Sequence, residues 1–424
     1  MNFFSPGEKI KIFRKKLNIK QIELEEIGVS RNYISMVESD KRNLTGKTLE
    51  KLVEFIKNKA TALNINIDID KDSLVLSREE QALNYCNDKL LSDLDLAGIN
   101  QIISIGEKYK LFDILSTVYF LKGDLLYSEN LFDKAIIFYY DALELYDSNT
   151  DDTIKAQLYN KLGKCKLQTL CYEEALAYFF KCHFHLNEGT DKISYQNCIF
   201  NIAITYKKMG EFDNALLYIN KLLSILNADD NLDIYIDMMI LEANCYISKN
   251  EYTAAIKIYN HAINVYGSKL GTSLGYIYNN LGLIYTDINE IENAIDYFDK
   301  SIYIRQFEDT STLSHSLINK STVYVKLNSN DEAIDLLKNG ISLAIKYGDK
   351  EYMLKGYMLL AELYSNINDS RKLQEIYLNL VTILKDTDSD KLVDIYIKLS
   401  VLYLDTENYE KCREYLIKAQ EFTK

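Results

Sequence analysis

Small and aromatic residues recur along most of this chain with a fixed period. Eight times a small residue is followed sixteen positions later by an aromatic or aliphatic residue, and the units begin 39 or 40 residues apart. Six units also carry an alanine twelve positions after the first residue. The units begin at Gly123, Gly163, Ala203, Ala243, Gly282, Ser321, Ala361 and Ser400. A constant period of this length indicates stacked pairs of helices, so we expect residues 116–424 to form one α-solenoid.

Each unit is consistent with close helix packing. We expect the leading small residue to let the first helix of a pair approach the second, and the alanine to admit the next pair. In six units a tyrosine, such as Tyr285 or Tyr324, stands three positions after the leading residue. This order of small and aromatic residues resembles the tetratricopeptide (TPR) repeat, whose usual period is ~34 residues. Leu373 and Cys412 replace the alanine in the last two units, which is typical of terminal repeats.

The head, residues 1–57, has a different pattern of several short helices. Ile10 and Leu17 lie on one apolar helical face. Gly28 is expected to end a short helix over residues 20–27, because glycine readily adopts the positive φ of a tight helix–helix turn. Ser30 is a good N-cap for the helix that follows.

The stretch KQIELEEIGVSRNYISMVESDKRNL resembles the helix-turn-helix of Cro/cI-type (XRE-like) repressors. In such domains the third helix enters the major groove and its N-terminal residues meet base edges. The resemblance implies a DNA-binding set of Gln21, Ser30, Arg31, Asn32, Tyr33, Ser35, Lys41 and Arg42. Within this set, Arg31, Asn32 and Tyr33 would meet bases and Ser35 would meet bases or a phosphate. Gln21, Lys41 and Arg42 would contact the DNA backbone.

Charge is divided unevenly along the chain. Residues 1–60 carry 13 Lys and Arg against 8 Asp and Glu, and the other 364 residues carry 36 against 54, so the net charges are +5 and −18. A basic head on an acidic body indicates a nucleic-acid contact confined to the head. Arg14 and Glu38 match positions that pair with each other in Cro/cI-type domains, so the resemblance implies a structural role for both.

Residues 58–77 interrupt both patterns. Isoleucines alternate with polar residues over residues 65–69, which is typical of an extended segment, and we expect a linker here. The helical pattern resumes at Ser77, which with Glu80 forms a capping box. The body, residues 78–424, begins with a helical pair that does not fit the repeat.

The first helix of a TPR-like pair lines the concave face of the solenoid. Positions six and two before the leading small residue, and one after it, are therefore expected to face this groove. The candidate peptide-binding residues at these positions are Gln157, Lys161, Lys164, Asn197, Asn201, Asp237, Asn244, Tyr276, Asn280, His315 and Asn319. Four units contribute an asparagine, whose side chain offers a donor and an acceptor to the backbone of an extended peptide. Solvated polar residues on an exposed helix face are the alternative interpretation.

No pattern of catalytic or metal-binding residues emerges. The chain lacks P-loop, HExxH and GxSxG motifs, and we expect no catalytic residue, metal or cofactor. Seven cysteines without paired spacing are typical of reduced thiols. Without an apolar run of ~18 residues or a signal-peptide pattern, we expect a cytoplasmic protein with no membrane partner.

The combination of head, linker and TPR-like body resembles the RRNPP regulators of Gram-positive bacteria. The fold predicted is all-α, an N-terminal helix-turn-helix domain followed by a right-handed TPR-like α-solenoid of about eight to nine helical hairpins. The resemblance implies a homodimeric quorum-sensing transcription regulator, not an enzyme, which binds a double-stranded DNA operator and is switched by a short signalling peptide in the groove. A TPR scaffold, or a phosphatase acting on a response-regulator protein, is the alternative.

Overall fold

The computed structural model describes residues 2–44, 46–67, 69–92, 94–146, 152–186, 191–228, 231–385 and 389–421. All regular secondary structure in these ranges is helical. The chain divides into two compact units, residues 1–209 and 210–424. The predicted all-α fold, a helix-turn-helix followed by TPR-like hairpins, is confirmed.

Unit 1, residues 1–209, contains the head and the first helical pairs. Its helices are α1 (Pro6–Lys16), a 3₁₀ helix (Gln21–Ile27), α2 (Arg31–Glu38), α3 (Gly46–Ala62), α4 (Lys71–Val75), α5 (Arg78–Leu90), α6 (Leu96–Tyr109), α7 (Phe112–Ser128), α8 (Phe132–Leu145), α9 (Asp152–Gln168), α10 (Tyr172–His185) and α11 (Lys192–Met209). Two hairpins of the repeat, α7/α8 and α9/α10, pack closely within this unit. The capping box predicted at Ser77 is present at the start of α5.

Unit 2, residues 210–424, contains the remaining repeats. Its helices are α12 (Phe212–Ile225), α13 (Leu232–Ser248), α14 (Tyr252–Tyr266), α15 (Thr272–Asp287), α16 (Ile291–Glu308), α17 (Leu313–Lys326), α18 (Asn330–Tyr347), α19 (Lys350–Asn366), α20 (Ser370–Leu384), α21 (Ser389–Asp405) and α22 (Tyr409–Glu421). The hairpins α15/α16 and α17/α18 pack closely, as do α21/α22.

The segment expected to be a linker belongs to the core of the head. Helix α3 continues to Ala62, and Ile69 and Leu74 are buried against Ile10, Ile34 and other residues of the head. The alternation of isoleucines therefore reflects a chain that covers the head's apolar side, because burying these side chains is more favourable than leaving them in water. The linker expected over residues 58–77 is corrected accordingly.

The N-terminal segment ties the head to α5 and α6. Phe3 packs on the rings of Tyr85 and Tyr109 at centroid distances of 5.9 and 5.5 Å. The Arg78 guanidinium lies 2.8 Å from the carboxylate of Glu8 and 3.4 Å from that of Asp40. These contacts fix how the head sits on the first helices of the body within unit 1.

The leading small residues of the repeat make the close helix contact that the sequence predicts. A Cβ added to Gly123 would lie 2.5 Å from the ring of Tyr139, and one added to Gly163 would lie 2.5 Å from the ring of Phe179. In both hairpins the ring comes from the residue sixteen positions on. The repeat pattern therefore reflects the packing of a ring from the second helix against the backbone of the first helix.

The turn inside each hairpin carries a residue with positive φ, seven positions after the leading small residue. Asparagine takes this position in five units, with φ between 56° and 63°, at Asn130, Asn250, Asn289, Asn328 and Asn368. Gly210 takes it once, and Leu170 and Glu407 are the exceptions. Asparagine and glycine tolerate the left-handed region best, so this position is a second periodic signal of the hairpin.

Candidate functional site

Helix α2 presents a polar face to solvent, as predicted for a recognition helix. The Ser30 side chain caps α2 by accepting a hydrogen bond from the backbone NH of Tyr33 at 3.3 Å. Ile34 and Val37 are buried in the head, whereas Arg31, Asn32 and Ser35 are exposed. Arg31 and Ser35 line an open cleft that Lys11 and Lys20 also border. Exposed donors beside lysines on one surface can contact base edges and phosphates together.

Glu38, the last residue of α2, links this helix to α1. The Arg14 guanidinium donates two hydrogen bonds to the Glu38 carboxylate, from Nε at 2.6 Å and from Nη2 at 2.9 Å. Burial opposes ionisation of Glu38, but the hydrogen bonds from Arg14 and Gln21 hold its pKa below the usual range. The structural role inferred for Arg14 and Glu38 agrees with this geometry.

Gln21, which is expected to contact the DNA backbone, is bonded within the head. Its Nε2 donates a hydrogen bond to Glu38 Oε2 at 2.9 Å. The hydrogen bond to Glu38 positions the amide at the cleft that Arg31 and Ser35 line, and the second hydrogen of the NH2 group has no acceptor in this bond.

The loop after α2 brings two cations to the edge of this face. Lys41 and Arg42 are exposed, and the Arg42 guanidinium lies 5.0 Å from the centre of the Tyr33 ring. Tyr33 donates its hydroxyl proton to the backbone carbonyl of Asn43 at 3.1 Å. Tyr33 therefore braces the loop, and its ring is only partly available to a base.

In unit 1 the predicted groove residues divide into exposed and engaged side chains. Gln157 and Asn197 are exposed. Lys161 pairs with Asp124 at 2.7 Å. Asn201 is 6% exposed and donates to Asn160 Oδ1 at 2.8 Å.

Lys164 lies near Lys161 in unit 1. Burial and the charge of Lys161 both lower the pKa of Lys164. No ion pair of Lys164 is found among the described residues. Of these two candidate residues, Lys161 already has a carboxylate partner in Asp124, whereas Lys164 has none in the described part of the chain.

In unit 2 the asparagines form a hydrogen-bonded network between neighbouring helices. Tyr259 OH donates to Asn244 Oδ1 at 2.9 Å, and Asn280 Nδ2 donates to Tyr259 OH at 2.9 Å. Burial raises the pKa of Tyr259, against the hydrogen bond from Asn280. Asn280 Oδ1 in turn accepts a hydrogen bond from Asn279 Nδ2 at 3.4 Å, so the network extends to the neighbouring residue of α15.

The expectation that Asn319 faces the groove requires correction. Its side chain is fully buried, donates to Asn279 Oδ1 at 3.0 Å and accepts a hydrogen bond from Lys355 Nζ at 2.7 Å. A side chain without exposed surface does not line an open groove. Asn319 instead joins α15, α17 and α19, and Asn201 plays a similar part in unit 1.

The exposed surface of unit 2 near this network is aromatic. His315 stacks on the Tyr352 ring at 3.6 Å and is hydrogen bonded through Nε2 to Asp349 at 2.7 Å. Burial lowers the pKa of His315 although Asp349 opposes this. Tyr276, which is 41% exposed, covers the guanidinium of Arg305 at 4.7 Å. Arg305 lies on a second helix of the repeat, so the search for groove positions on first helices missed it.

Two family models match this chain. Residues 10–63 match the helix-turn-helix model, and residues 116–149, 197–226, 236–268, 275–307 and 393–424 match the tetratricopeptide repeat model. The chain is a helix-turn-helix protein with tetratricopeptide repeats. This helix-turn-helix and TPR organisation is that of the RRNPP resemblance seen in the sequence.

Similar proteins include one curated relative and several solved structures. The response regulator aspartate phosphatase A of Bacillus subtilis (strain 168) is 22% identical over 275 residues, which are 64% of this chain and 62% of that protein. The apo form of the quorum sensor NprR from B. thuringiensis is 18% identical, with a TM-score of 0.53 over 82% of this chain and 99% of that chain. The apo form of RapI has a TM-score of 0.47 at 18% identity, over 63% of this chain and 98% of that chain. The likeness to NprR shows that the two chains share a fold.

Among the described residues no helix is long and apolar enough to cross a bilayer.

Proposed function

We propose that this helix-turn-helix TPR protein is a transcription regulator whose binding to operator DNA is switched by a short peptide. The exposed face of α2, with Arg31, Asn32 and Ser35 beside Lys11 and Lys20, is the observation that carries the proposal. Arginine and asparagine are the side chains that pair bidentately with guanine and adenine. The basic head on an acidic body supports a DNA contact restricted to this face.

The peptide part of the proposal rests on the repeats. TPR-like helices present side chains that bind extended peptides, and Gln157, Asn197, Asp237 and Tyr276 keep exposed surface on the first helices of their units. NprR, with which the chain shares its fold, is a quorum sensor. In a dimer, a peptide that changes the spacing of the two heads would change DNA affinity, because half-sites lie about one helical turn, ~34 Å, or a multiple of it apart.

A measurement of duplex binding tests the role of the head. We expect the protein to select a specific duplex from a random pool, and Arg31→Ala to weaken binding to that duplex by about 1–3 kcal/mol and relax base preference. Lys41→Ala or Arg42→Ala should weaken binding to all sequences alike. Fluorescence anisotropy over a salt series measures both, because neutralised phosphates make the affinity fall steeply with salt.

The matched control is Arg371→Ala, which removes an exposed arginine of α20 in unit 2. If Arg31→Ala and Arg371→Ala bind the selected duplex equally well, α2 is not the recognition helix. A protein without salt-dependent duplex binding would instead favour the TPR scaffold, whose head binds another protein.

Self-association is the third part of the proposal. On α21 the exposed apolar residues Val401 and Leu404 take the positions that Glu362 and Ser365 hold in the preceding repeat. Exposed apolar side chains at positions that are polar in the preceding repeat favour a protein contact. We expect Val401→Glu combined with Leu404→Glu to convert a dimer into a monomer in multi-angle light scattering.

The control for this experiment is Leu217→Glu, which charges an equally exposed leucine on α12 and should leave the dimer intact. A wild-type protein that is monomeric at micromolar concentration, with and without DNA, would contradict the proposal of a dimer.

A second candidate function is favoured by the similarity to response regulator aspartate phosphatase A. In that case a glutamine or glutamate on the first helices of the body would face a phosphorylated response regulator. Incubation of the purified protein with phosphorylated response regulators from its own cells, followed by phosphate release, tests this function separately from DNA binding.

A further inference from the structure

Arg305 is a buried cation whose hydrogen-bonding capacity is largely unused. The side chain projects from the last turn of α16 and is 1% exposed. Its Nη1 donates to the backbone carbonyl of Thr312 at 2.6 Å. Its Nε and Nη2 are buried and have no acceptor among the described residues. Two of its three nitrogen atoms therefore point at no protein partner.

The Asp309 carboxylate, which attracts Arg305, and the Asp349 carboxylate, which bonds to the neighbouring His315, both have other hydrogen-bond partners. Asp309 accepts hydrogen bonds from Ser311 and Thr312, and Asp349 is bonded to His315. None of the described carboxylates lies within 4.0 Å of the guanidinium as an ion pair. Burial lowers the pKa of Arg305 against the attraction of Tyr276, Tyr352 and Asp309, yet a guanidinium stays protonated in proteins. A buried charge without a partner is unfavourable, so the unpaired guanidinium of Arg305 favours a ligand of opposite charge.

The surrounding helices provide a slot for this side chain. A Cβ added to Gly275 at the start of α15 would lie 2.9 Å from Arg305 Cγ and 3.2 Å from Nε. Ser301 Oγ donates to the Gly275 carbonyl at 2.7 Å and lies 2.7 Å from Ser316 Oγ. The buried hydroxyls thus hold the backbone of α15 and α17 beside α16. The glycine gives the guanidinium room that any other residue would fill.

The slot opens toward the proposed peptide groove. The Tyr276 ring lies over the guanidinium and is itself 41% exposed at a predicted groove position. Because this exposed ring covers the guanidinium, a rotation of the Tyr276 side chain would open a path from the groove to Arg305. A planar guanidinium presents its NH groups in the geometry that a carboxylate accepts bidentately.

We infer that Arg305, beneath Tyr276, is the anchor of a carboxylate-binding site that takes an acidic group of the bound peptide. This inference rests on the proposed peptide-binding function and specifies its ligand chemistry. The acidic group is either the C-terminal carboxylate or an Asp or Glu side chain.

Affinity selection from a random hexapeptide pool tests the inference. The full-length protein is incubated with the pool, separated from unbound peptides by gel filtration, and the retained peptides are sequenced by mass spectrometry. One pool has free C-termini and contains Asp and Glu, a second contains them but is C-terminally amidated, and a third has free C-termini but lacks Asp and Glu. Relative to a fourth pool that is C-terminally amidated and lacks Asp and Glu, we expect carboxylate-bearing peptides to be enriched roughly tenfold in the retained fraction. Enrichment from the second pool assigns the site to an acidic side chain, and enrichment from the third assigns it to the C-terminal carboxylate.

Arg305→Met removes the charge and keeps a side chain of similar length. We expect this variant to melt at the same or a higher Tm, because a buried unpaired charge is gone, and to lose the enrichment. Gly275→Ala keeps the charge but displaces the guanidinium, and should reduce the enrichment as well. Arg371→Met, which makes the same charge change at an exposed position of α20, should keep it.

The results distinguish a failure of the carboxylate site from a failure of peptide binding as such. If the wild type retains peptides and Arg305→Met retains the same acidic ones, the carboxylate site is refuted while peptide binding stands. If the wild type retains no peptides from any pool, peptide binding fails, and the inference fails with it. If inorganic phosphate raises the Tm of the wild type but not of Arg305→Met, and peptides do not, the site binds phosphate and the carboxylate assignment is overturned.

Discussion

Replacing Glu38 with alanine is expected to destabilise the head while the repeats stay folded. The Glu38 carboxylate accepts hydrogen bonds from Arg14 and Gln21 with its side chain 4% exposed. Without it the Arg14 guanidinium keeps only the Ile19 carbonyl as acceptor. Breaking one side of a buried ion pair costs about 3–5 kcal/mol, because the remaining charge is buried without a counter-ion. Hydrogen exchange of the full-length chain, followed by peptide mapping, would measure this loss in α1 and α2.

Glu54→Ala on α3 is the matched control, since that glutamate is exposed and belongs to the same domain. The pH dependence gives an independent check. A carboxyl group whose pKa is lowered by folding stabilises the fold above its unfolded pKa, and this contribution is lost as the pH falls through the folded pKa. The head of the wild type should therefore open in acid below the ordinary Glu pKa of 4.5, whereas Glu38→Ala should lack this transition. Equal exchange rates in Glu38→Ala and Glu54→Ala would show that the pair is not structural.

Replacing Asn319 with leucine is expected to destabilise unit 2 rather than to act on a ligand alone. The change leaves the buried Asn279 Oδ1 without a donor and Lys355 Nζ without its acceptor. The buried Asn279 oxygen left unsatisfied costs about 1–3 kcal/mol, whereas Lys355 is exposed and water can take the place of its acceptor. Urea unfolding followed by the fluorescence of the tyrosines would measure this loss.

A double-mutant cycle distinguishes the network from a simple packing effect. Asn279→Leu with Asn319→Leu removes donor and acceptor together, so the double variant should lose less stability than the sum of the single variants. Asn197→Leu, at an exposed groove position of unit 1, should leave the free energy of unfolding nearly unchanged. Additive losses, or a stable Asn319→Leu protein, would mean that the network contributes little.

Two local patterns allowed most of the fold to be predicted. The period of 39 or 40 residues between Gly123, Gly163 and the later small residues predicted the hairpins correctly, because contacts inside a repeat are close in sequence. The turn at Gly28 and the cap at Ser30 placed α2, because both are set by one residue's backbone preference. The asparagines with positive φ in the hairpin turns were a further local signal that the pattern search did not use.

Residues 58–77 show where a local pattern was insufficient. An extended segment with isoleucines at alternate positions is compatible with a linker or with a chain that covers a core. Only the presence of the head's apolar side beside Ile69 decides between them. Such a surface is assembled from α1, α2 and α3, which no window along the sequence contains.

The sequence by itself determined which residues share a helix face, and the tertiary structure alone decided which of them a ligand can reach. Asn197 and Asn319 were both predicted to face the groove, yet the first is exposed and the second is fully buried. Position two before the leading small residue meets the first helix of the neighbouring repeat, so Asn201 and Asn319 bond to Asn160 and Asn279. Accessibility depends on the distance between helices of different repeats, which the packing of the whole repeat sets. For the same reason Arg305, brought under Tyr276 from another helix, became visible only in the folded chain.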